Sequence, residues 1–251
     1  MDRVSDRWSG TAALIALLAG MACSSGCASI ATGESIPPVV DTDAVERLPG
    51  AGDQRIDTLQ IDFPLLAAAV LAESNRRRRA HQRTPLDRLP VLEAVSTMHA
   101  EDMVRHRFFN HVNPVEPSKR TVADRLALAS LVGSFHAENI ARIFALQVKL
   151  RSDRSDLYQM TVYPLDVPGQ FSLTPDGPAI PFHTYITFAR ELVQSWMDSP
   201  AHRRNLLTRQ ARYLGCGCAH QVGEAGLPIL VCVQVFYANF DGVKAGRLTD
   251  L

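Results

Sequence analysis

The sequence has no excess of either charge. Its 26 basic residues (Lys and Arg) equal its 26 acidic residues (Asp and Glu), so no overall field draws in nucleic acid or anionic lipid. Four consecutive arginines, Arg76–Arg79, are the local exception. On a helix their side chains would point in different directions, so we expect a solvated helix end there, with one specific buried pair of Arg76 or Arg79 as the alternative. The partners we expect are small or neutral, and nucleic acid is not among them.

The sequence also lacks the signatures of several enzyme classes. It has no G-x-S-x-G nucleophile elbow, no H-E-x-x-H zinc helix and no phosphate-binding glycine loop. His136-Ala137-Glu138 matches the H-x-E of zinc deaminases, but that chemistry also needs P-C-x-x-C. Cys216-Gly217-Cys218 supplies neither the proline nor the spacing. A dedicated enzyme of these classes is therefore not expected.

The apolar run near the N-terminus is too short for a permanent membrane anchor. It extends from Ala12 to Ala22, follows Arg3 and Arg7, and has the length of a signal-peptide core. We therefore expect residues 1–28 to be a signal peptide and the protein to be exported. Its destination would be the cell envelope, as a periplasmic or outer-membrane protein, or the medium, as a secreted one.

The residues after this run resemble the lipobox of bacterial lipoproteins, in which a cysteine becomes the lipidated first residue. Cys23 or Cys27 would be that cysteine. A lipobox normally has leucine three places earlier, whereas Gly20 and Ser24 stand there. We expect a lipid anchor in the membrane, with plain cleavage after a small residue as the alternative.

We expect one folded domain to account for most of the chain. Hydrophobic residues make up 46% of the 251 residues, which is ordinary for a globular domain with a sizeable core. Residues 29–60 are mostly rich in small and polar residues without an apolar pattern, which is typical of a flexible linker. We expect the domain at residues 61–241 and a short tail at 242–251.

Apolar periodicity and turn residues divide this domain into helices followed by a hairpin. The predicted helices are Leu65–Asn75, Leu89–Val104, Thr121–Leu131, Tyr185–Met197 and one that begins at Ser199-Pro200, and a fourth segment, Ala137–Val148, lies between the third helix and the Tyr185 helix. Tyr213–His220 and Pro228–Asn239 are β-rich runs separated by Gly223–Gly226, a hairpin signal. The pattern predicts an α+β fold with helices packed on a small antiparallel sheet.

Four blocks in series resemble the bacterial form of one family. They are Phe109-Asn110-His111 with Pro114, Ala137–Ala141, Trp196–Leu207 and Val233–Phe236. Together they are similar to the CAP superfamily, the group of cysteine-rich secretory, antigen 5 and pathogenesis-related 1 proteins, also called the SCP domain. The resemblance covers about residues 61 to 240. It implies an α-β-α sandwich with a groove lined by residues from these blocks.

Two positions depart from the plant and animal relatives. Those relatives carry a second glutamate after the tryptophan and a histidine three residues before the glutamine of the last strand. This chain has Ser199 and Val231 there. The full set of two histidines and two glutamates is therefore absent, and His202 stands in its place, as in bacterial members.

The resemblance implies that His111, Glu138 and His202 face one groove. Two imidazoles and a carboxylate could bind Zn²⁺ with an open coordination position, and His202, in the first turn of a helix, would keep a lone pair available. The same three groups could instead form a polar network that holds the groove together. Asn205 and Gln234 also belong to the expected groove, where satisfying buried backbone groups is the simpler role.

Three cysteines belong to the predicted hairpin. Cys216 and Cys218 point to the same face of one strand, and Cys232 lies on the other strand. In an oxidising compartment Cys232 should pair with Cys216 or Cys218, and the hairpin register decides which. Three reduced core cysteines are the alternative.

Compact bacterial relatives have a short connection where this chain has an insertion at about residues 147–184. Met160–Tyr163 and Gln170–Leu173 could form a small hairpin around Pro168-Gly169. The insertion lies between the Glu138 and His202 blocks, which suits a lid over the groove. A surface flap that stabilises the domain is equally compatible.

The sequence therefore predicts an exported, membrane-tethered binding module, a monomer, with a groove for a lipid-like, peptide or cell-wall ligand, assisted by metal. One alternative is a metal-dependent hydrolase, a peptidase, with His111 and His202 as ligands and Glu138 as the catalytic general base. The other is a purely structural envelope protein.

Overall fold

The computed structural model describes residues 50–148, 162–167, 169–223 and 226–239. The predicted signal peptide with Cys23 and Cys27, most of the linker and the predicted tail lie outside the described residues. None of the helices in the described ranges is long and apolar enough to cross a membrane.

As the sequence predicts, the described chain begins with a helix and ends with the hairpin, but four of its six strands precede the last two helices. In chain order the elements are α1 (Phe63–Ala80), β1 (Asp87–Arg88), α2 (Pro90–Arg105), a 3-10 helix (Pro117–Lys119), α3 (Val122–Leu128), β2 (Phe135–Phe144), β3 (Tyr163–Pro164), β4 (Phe171–Ser172), α4 (Tyr185–Asp198), α5 (Pro200–Leu206), β5 (Tyr213–Val222) and β6 (Pro228–Ala238).

The main sheet has four strands in the order β1-β5-β6-β2. Strands β5, β6 and β2 are antiparallel neighbours, and β2 is the segment that the sequence places around Glu138. The two-residue β1 pairs in parallel with the start of β5 and makes the sheet mixed. Two residues carry no periodicity, so β1 could not be predicted.

The ends of the helices follow from local chemistry. Proline occupies the first position of α2 and of α5, where its missing N–H costs no hydrogen bond. Thr121 and Thr184 each form a capping box at the start of α3 and α4. Ser199 is the N-cap residue of α5, as predicted, although its side chain makes no capping hydrogen bond.

The sheet lies between two helical layers. A Cβ added to Gly215 or Gly217 of β5 would overlap the backbone of α2, so α2 lies directly on that face of the strand. Cys216 and Cys218 alternate with these glycines and pack in the main core with α1 and α4, on the opposite face. The expected α+β class and α-β-α sandwich are therefore confirmed.

The arginine run is not simply a solvated helix end. Helix α1 continues through all four arginines, and Arg76 and Arg77 pair with Glu73 on the same helix. Arg78 is only 1% exposed, so the prediction is wrong for this residue. Its guanidinium donates to three backbone carbonyls, those of Thr84, Leu206 and Thr208. Arg78 thus ties the end of α1 to the chain after α5.

The hairpin register decides between the two cysteine pairings that the sequence leaves open. Cys218 lies opposite Cys232, with the Cα atoms 4.1 Å apart, and the two form a disulfide. Cys216 lies opposite Gln234 and is a buried free thiol. Burial, together with the charge of Glu93, raises the pKa of this thiol well above its ordinary value. Cys216 is therefore an inert core residue.

The described part of the insertion contains the predicted small hairpin, formed by β3 and β4. Met160, Thr161 and Pro168 lie outside the described residues. Val162, Phe171 and Ile180 pack against Phe144 at the end of β2 in a small core of their own. Glu138 lies six residues earlier on β2, about 20 Å away along an extended strand. This packing fits a flap that covers the end of the sheet.

Candidate functional site

The loop that carries His111 begins where α2 ends. His106 is the C-cap residue of α2, and Arg107 has a positive φ of 55°, which turns the chain away from the helix axis. The ring Nε2 of buried His99 lies 3.0 Å from the backbone oxygen of Asn110. A carbonyl only accepts, so Nε2 carries the proton and donates. His99 thereby anchors the loop next to His111.

A buried ion pair stands behind His111. Glu138, on β2, has a side chain that is 3% exposed, and Arg125, on α3, is fully buried. One carboxylate oxygen of Glu138 lies 2.8 Å from Nδ1 of His111, and the other accepts from Arg125. Both oxygens of the carboxylate are therefore engaged.

The charges around Glu138 keep it ionised. Burial by itself would raise the pKa of Glu138, but the hydrogen bond from His111 and the positive charge of Arg125 outweigh burial and hold the pKa below its ordinary value. An ionised carboxylate only accepts, so Nδ1 of His111 must donate. A neutral His111 then carries its lone pair on Nε2, the nitrogen that the carboxylate does not contact.

Arg125 is the functional residue that sequence reasoning missed. Besides Glu138, it donates to the backbone oxygen of Lys119 at 2.9 Å and contacts that of His111 at 3.4 Å. It therefore fixes both the carboxylate and the loop that carries the imidazole. Its ion pair joins two elements 13 residues apart, and no local pattern signals such a pair.

His202 lies near His111, in the first turn of α5. The ring centroids are 6.3 Å apart, and each histidine is partly exposed. The two predicted imidazoles are thus brought together. Among the described residues, His111, His202 and Glu138 do not form a cluster of three donor atoms at ligating distances. Glu138 instead lies behind His111, as the acceptor of its Nδ1–H.

A chain of buried amides holds α5 on the sheet. Asn205 donates to the backbone oxygen of Glu138 at 3.1 Å and to the side chain of Asn139 at 2.9 Å. Asn139 donates to Gln234, which donates to Ser74 on α1. Gln234, expected as a groove residue, is 0% exposed and lies beneath the site, where it bonds to buried polar groups, the simpler role expected for it. The amides position the site from behind.

The site is therefore two adjacent imidazoles, one of them backed by a buried ion pair. Carboxylate–histidine pairs of this kind orient metal-binding imidazoles and fix their tautomer. Two histidines leave coordination positions for water or for a ligand group. These residues could hold a divalent metal only as a two-histidine site, without Glu138 as a third direct ligand.

Comparison with known proteins agrees with this architecture. The model of the CAP family, described as the cysteine-rich secretory protein family, matches residues 71–236. No curated protein matches the chain.

Three bacterial proteins are among the solved structures that are similar to the chain. One is an extracellular protein containing an SCP domain from Bacillus anthracis, with 19% identity, a TM-score of 0.42, and coverage of 70% of this chain and 41% of that one. Another is an outer surface protein from Borrelia burgdorferi, with 12% identity, a TM-score of 0.42, and coverage of 80% and 98%. The third is a cysteine-rich secretory protein from Staphylococcus aureus, with 14% identity, a TM-score of 0.41, and coverage of 71% and 40%. The chain spans about two fifths of the length of the first and third of these structures.

Proposed function

The chain belongs to the CAP family of cysteine-rich secretory proteins, and from that premise we propose that it is an exported binding module. In this proposal the His111–His202 site holds a lipid-like, peptide or cell-wall ligand with the help of a reversibly bound Zn²⁺. The observation that carries it is the Arg125–Glu138–His111 chain, which leaves Nε2 of His111 as the acceptor nitrogen next to His202.

The state of Glu138 favours binding over hydrolysis. A general base must reach the proton that it removes, directly or through one water molecule. Glu138 is 3% exposed, both of its oxygens are engaged, and its lowered pKa makes it a weak base. These features support a role for Glu138 in holding His111. They count against the alternative in which the protein is a hydrolase and Glu138 is its general base.

His111 and His202 would be the protein ligands of the metal. When bound there, Zn²⁺ supplies a Lewis-acidic position for an oxygen or carboxylate of the ligand. Arg125 keeps Glu138 charged, Glu138 keeps the proton of His111 on Nδ1, and the amide chain through Asn205 holds α5 in place. All of these contributions position groups in the folded domain, and none of them requires that the protein catalyse a reaction.

Zinc titration of the metal-free protein tests the site. We expect His111→Ala and His202→Ala each to abolish one equivalent of bound Zn²⁺ in calorimetry, because either change leaves a single imidazole. His81→Ala, at an exposed position at the end of α1, is the matched control and should bind like the wild type. If both variants keep the full wild-type stoichiometry and affinity, the metal site is refuted and the polar-network interpretation stands.

The ligand class is tested with three probes. A long-chain fatty acid, a tripeptide and a wall-derived muropeptide are each titrated into protein with and without Zn²⁺. We expect one of the three to bind more tightly with zinc, and to lose that gain in His202→Ala. Absence of binding by all three, with or without zinc, contradicts the binding-module proposal.

Export and membrane tethering rest on the sequence motif around Cys23 and Cys27. Mass spectrometry of the mature N-terminus in the native host is the direct test. We expect a diacylglyceryl-modified cysteine at Cys23 or Cys27. An unmodified terminus at Ser29 or beyond contradicts tethering and supports a soluble secreted protein.

A further inference from the structure

A second group of metal-ligating side chains lies apart from His111 and His202. It consists of Asp102 and His106 on α2 and Glu116 just before the 3-10 helix, and we call it the α2 cluster. One donor atom from each residue lies within 4.8 Å of the other two. Within the described ranges this is the one set of three His, Cys, Asp or Glu donors that are so close together.

The positions of the three side chains follow from the local fold. Asp102 and His106 are four residues apart, so they lie one turn apart on the same face of α2. Asp102 is 1% exposed, and Asn113 donates to one of its oxygens at 3.1 Å. Nε2 of His106 is inaccessible to water and has no hydrogen-bond partner, and it lies 3.6 Å from a Glu116 oxygen. The imidazole nitrogen therefore faces the carboxylates without a bond to satisfy it.

A cation already stands at this cluster. Nζ of Lys119 lies 3.2 Å from an Asp102 oxygen and 3.1 Å from a Glu116 oxygen. Two carboxylates so close together repel each other, and the ammonium offsets that repulsion. The lysine side chain is 20% exposed, and its long flexible stem can turn outward without moving the backbone.

We propose that the α2 cluster is a second divalent-cation site, in which Zn²⁺ displaces the Lys119 ammonium and binds to Asp102, His106 and Glu116. One imidazole nitrogen and two carboxylate oxygens, completed by water, are a ligand set that zinc uses. Donors around a tetrahedral zinc lie about 3.3 Å apart, as follows from metal–ligand distances of about 2.0 Å. His106 and Glu116 are partly exposed and can close the remaining gap.

This site does not depend on the His111–His202 proposal. It shares no ligand with that site. Asp102, its buried ligand, lies on α2, which holds it in position. Glu116 lies on the same loop as His111, five residues later, so a bound ion would also hold the end of that loop. The two sites can be emptied one at a time by substitution.

The test uses the double variant His111→Ala/His202→Ala as background. We expect this protein to bind one equivalent of Zn²⁺ in calorimetry, and His106→Gln and Glu116→Gln in the same background to weaken it by more than about tenfold, since even outer-sphere partners of a metal contribute that much. Lys119→Met should tighten binding, because it removes the competing ammonium. His81→Gln and Glu101→Gln, both at exposed positions, are the matched controls. Thermal unfolding verifies that each variant is folded.

Two results would overturn the proposal. One is a double variant that binds no zinc, and the other is binding that neither His106→Gln nor Glu116→Gln weakens. Unchanged or weaker zinc binding in Lys119→Met would refute competition by the lysine. A loss of the His111-dependent equivalent alone bears on the proposed function and leaves the α2 cluster intact, so the two failures are distinguishable.

Discussion

Two arginines are buried almost completely in this domain, and their surroundings differ. Arg78 donates to backbone carbonyls, and no carboxylate of the described residues pairs with it. Burial, together with the charge of Arg83, lowers the pKa of Arg78 to about 10. Arg125 pairs with the buried carboxylate of Glu138, which contacts a half-exposed imidazole. Arg78 is thus a structural residue. Arg125 supports the candidate site, because its partner carboxylate reaches an imidazole in contact with solvent.

The largest expected effect is that of Arg125→Met, which leaves the Glu138 carboxylate buried without its partner. We expect a loss of about 3–5 kcal/mol in the free energy of unfolding at pH 7. The double variant Arg125→Met/Glu138→Gln should recover part of this loss, because it removes the unpaired charge. Urea unfolding measures both values. Equal losses in the single and double variants would mean that the unpaired Glu138 carboxylate is not what destabilises Arg125→Met.

The disulfide provides a reference that involves neither arginine. Cys232→Ser opens a loop of about 15 residues, for which the chain-entropy model gives roughly 3 kcal/mol. The wild type and this variant should converge after reduction, apart from the changed side chain. Peptide mapping without prior reduction is the direct check. Alkylation of all three thiols of the hairpin in the native oxidised protein would contradict the bond.

Arg78→Met should have a somewhat smaller effect than Arg125→Met. It removes the donor of hydrogen bonds to three backbone carbonyls but leaves no buried charge behind, so we expect it to cost about 2–3 kcal/mol. Arg209→Met, at an exposed position, is the matched control and should change stability by less than about 0.5 kcal/mol. If Arg78→Met is more destabilising than Arg125→Met, the ion pair is not the costlier of the two to break.

Acid pH should weaken the contribution of the Arg125–Glu138 ion pair to stability but not that of Arg78. The pKa of Glu138 is lower in the folded protein, so its stabilising contribution is present above the ordinary value of about 4.3 and is lost as pH falls through the folded value. The stability difference between wild type and Glu138→Gln should therefore shrink below about pH 4.3. The difference between wild type and Arg78→Met should stay constant there. Buried His183, whose pKa burial lowers to about 4, is common to these proteins and cancels in each difference. Urea unfolding from pH 3 to 7 measures both differences.

The fold could be predicted where proline or glycine marks the end of a helix or strand. Proline at the start of α2 and α5 and glycine around the turn of the hairpin marked ends that the structure places within a few residues. The segment at Glu138 had no clear period because β2 packs on both sides, and its strand type became visible only in the sheet.

The predictability of the site depended on the family blocks. They brought His111, Glu138 and His202 to one place, which their separation of up to 91 residues would not suggest. The blocks could not show that Glu138 points at Arg125, nor that Gln234 is sealed beneath the surface. Burial depth and pairing across elements arise from packing, which a linear pattern does not contain.

Gly215 and Gly217 of β5 set the position of α2, the helix that supports both groups of candidate ligands. With no side chain at either position, α2 packs directly on the strand backbone, where an added Cβ would overlap the helix. The same helix carries His99, which holds the His111 loop, and Asp102 and His106 of the α2 cluster. Alanine at Gly217 would therefore shift both the anchor of the His111 loop and the side chains of the α2 cluster, although it contacts neither.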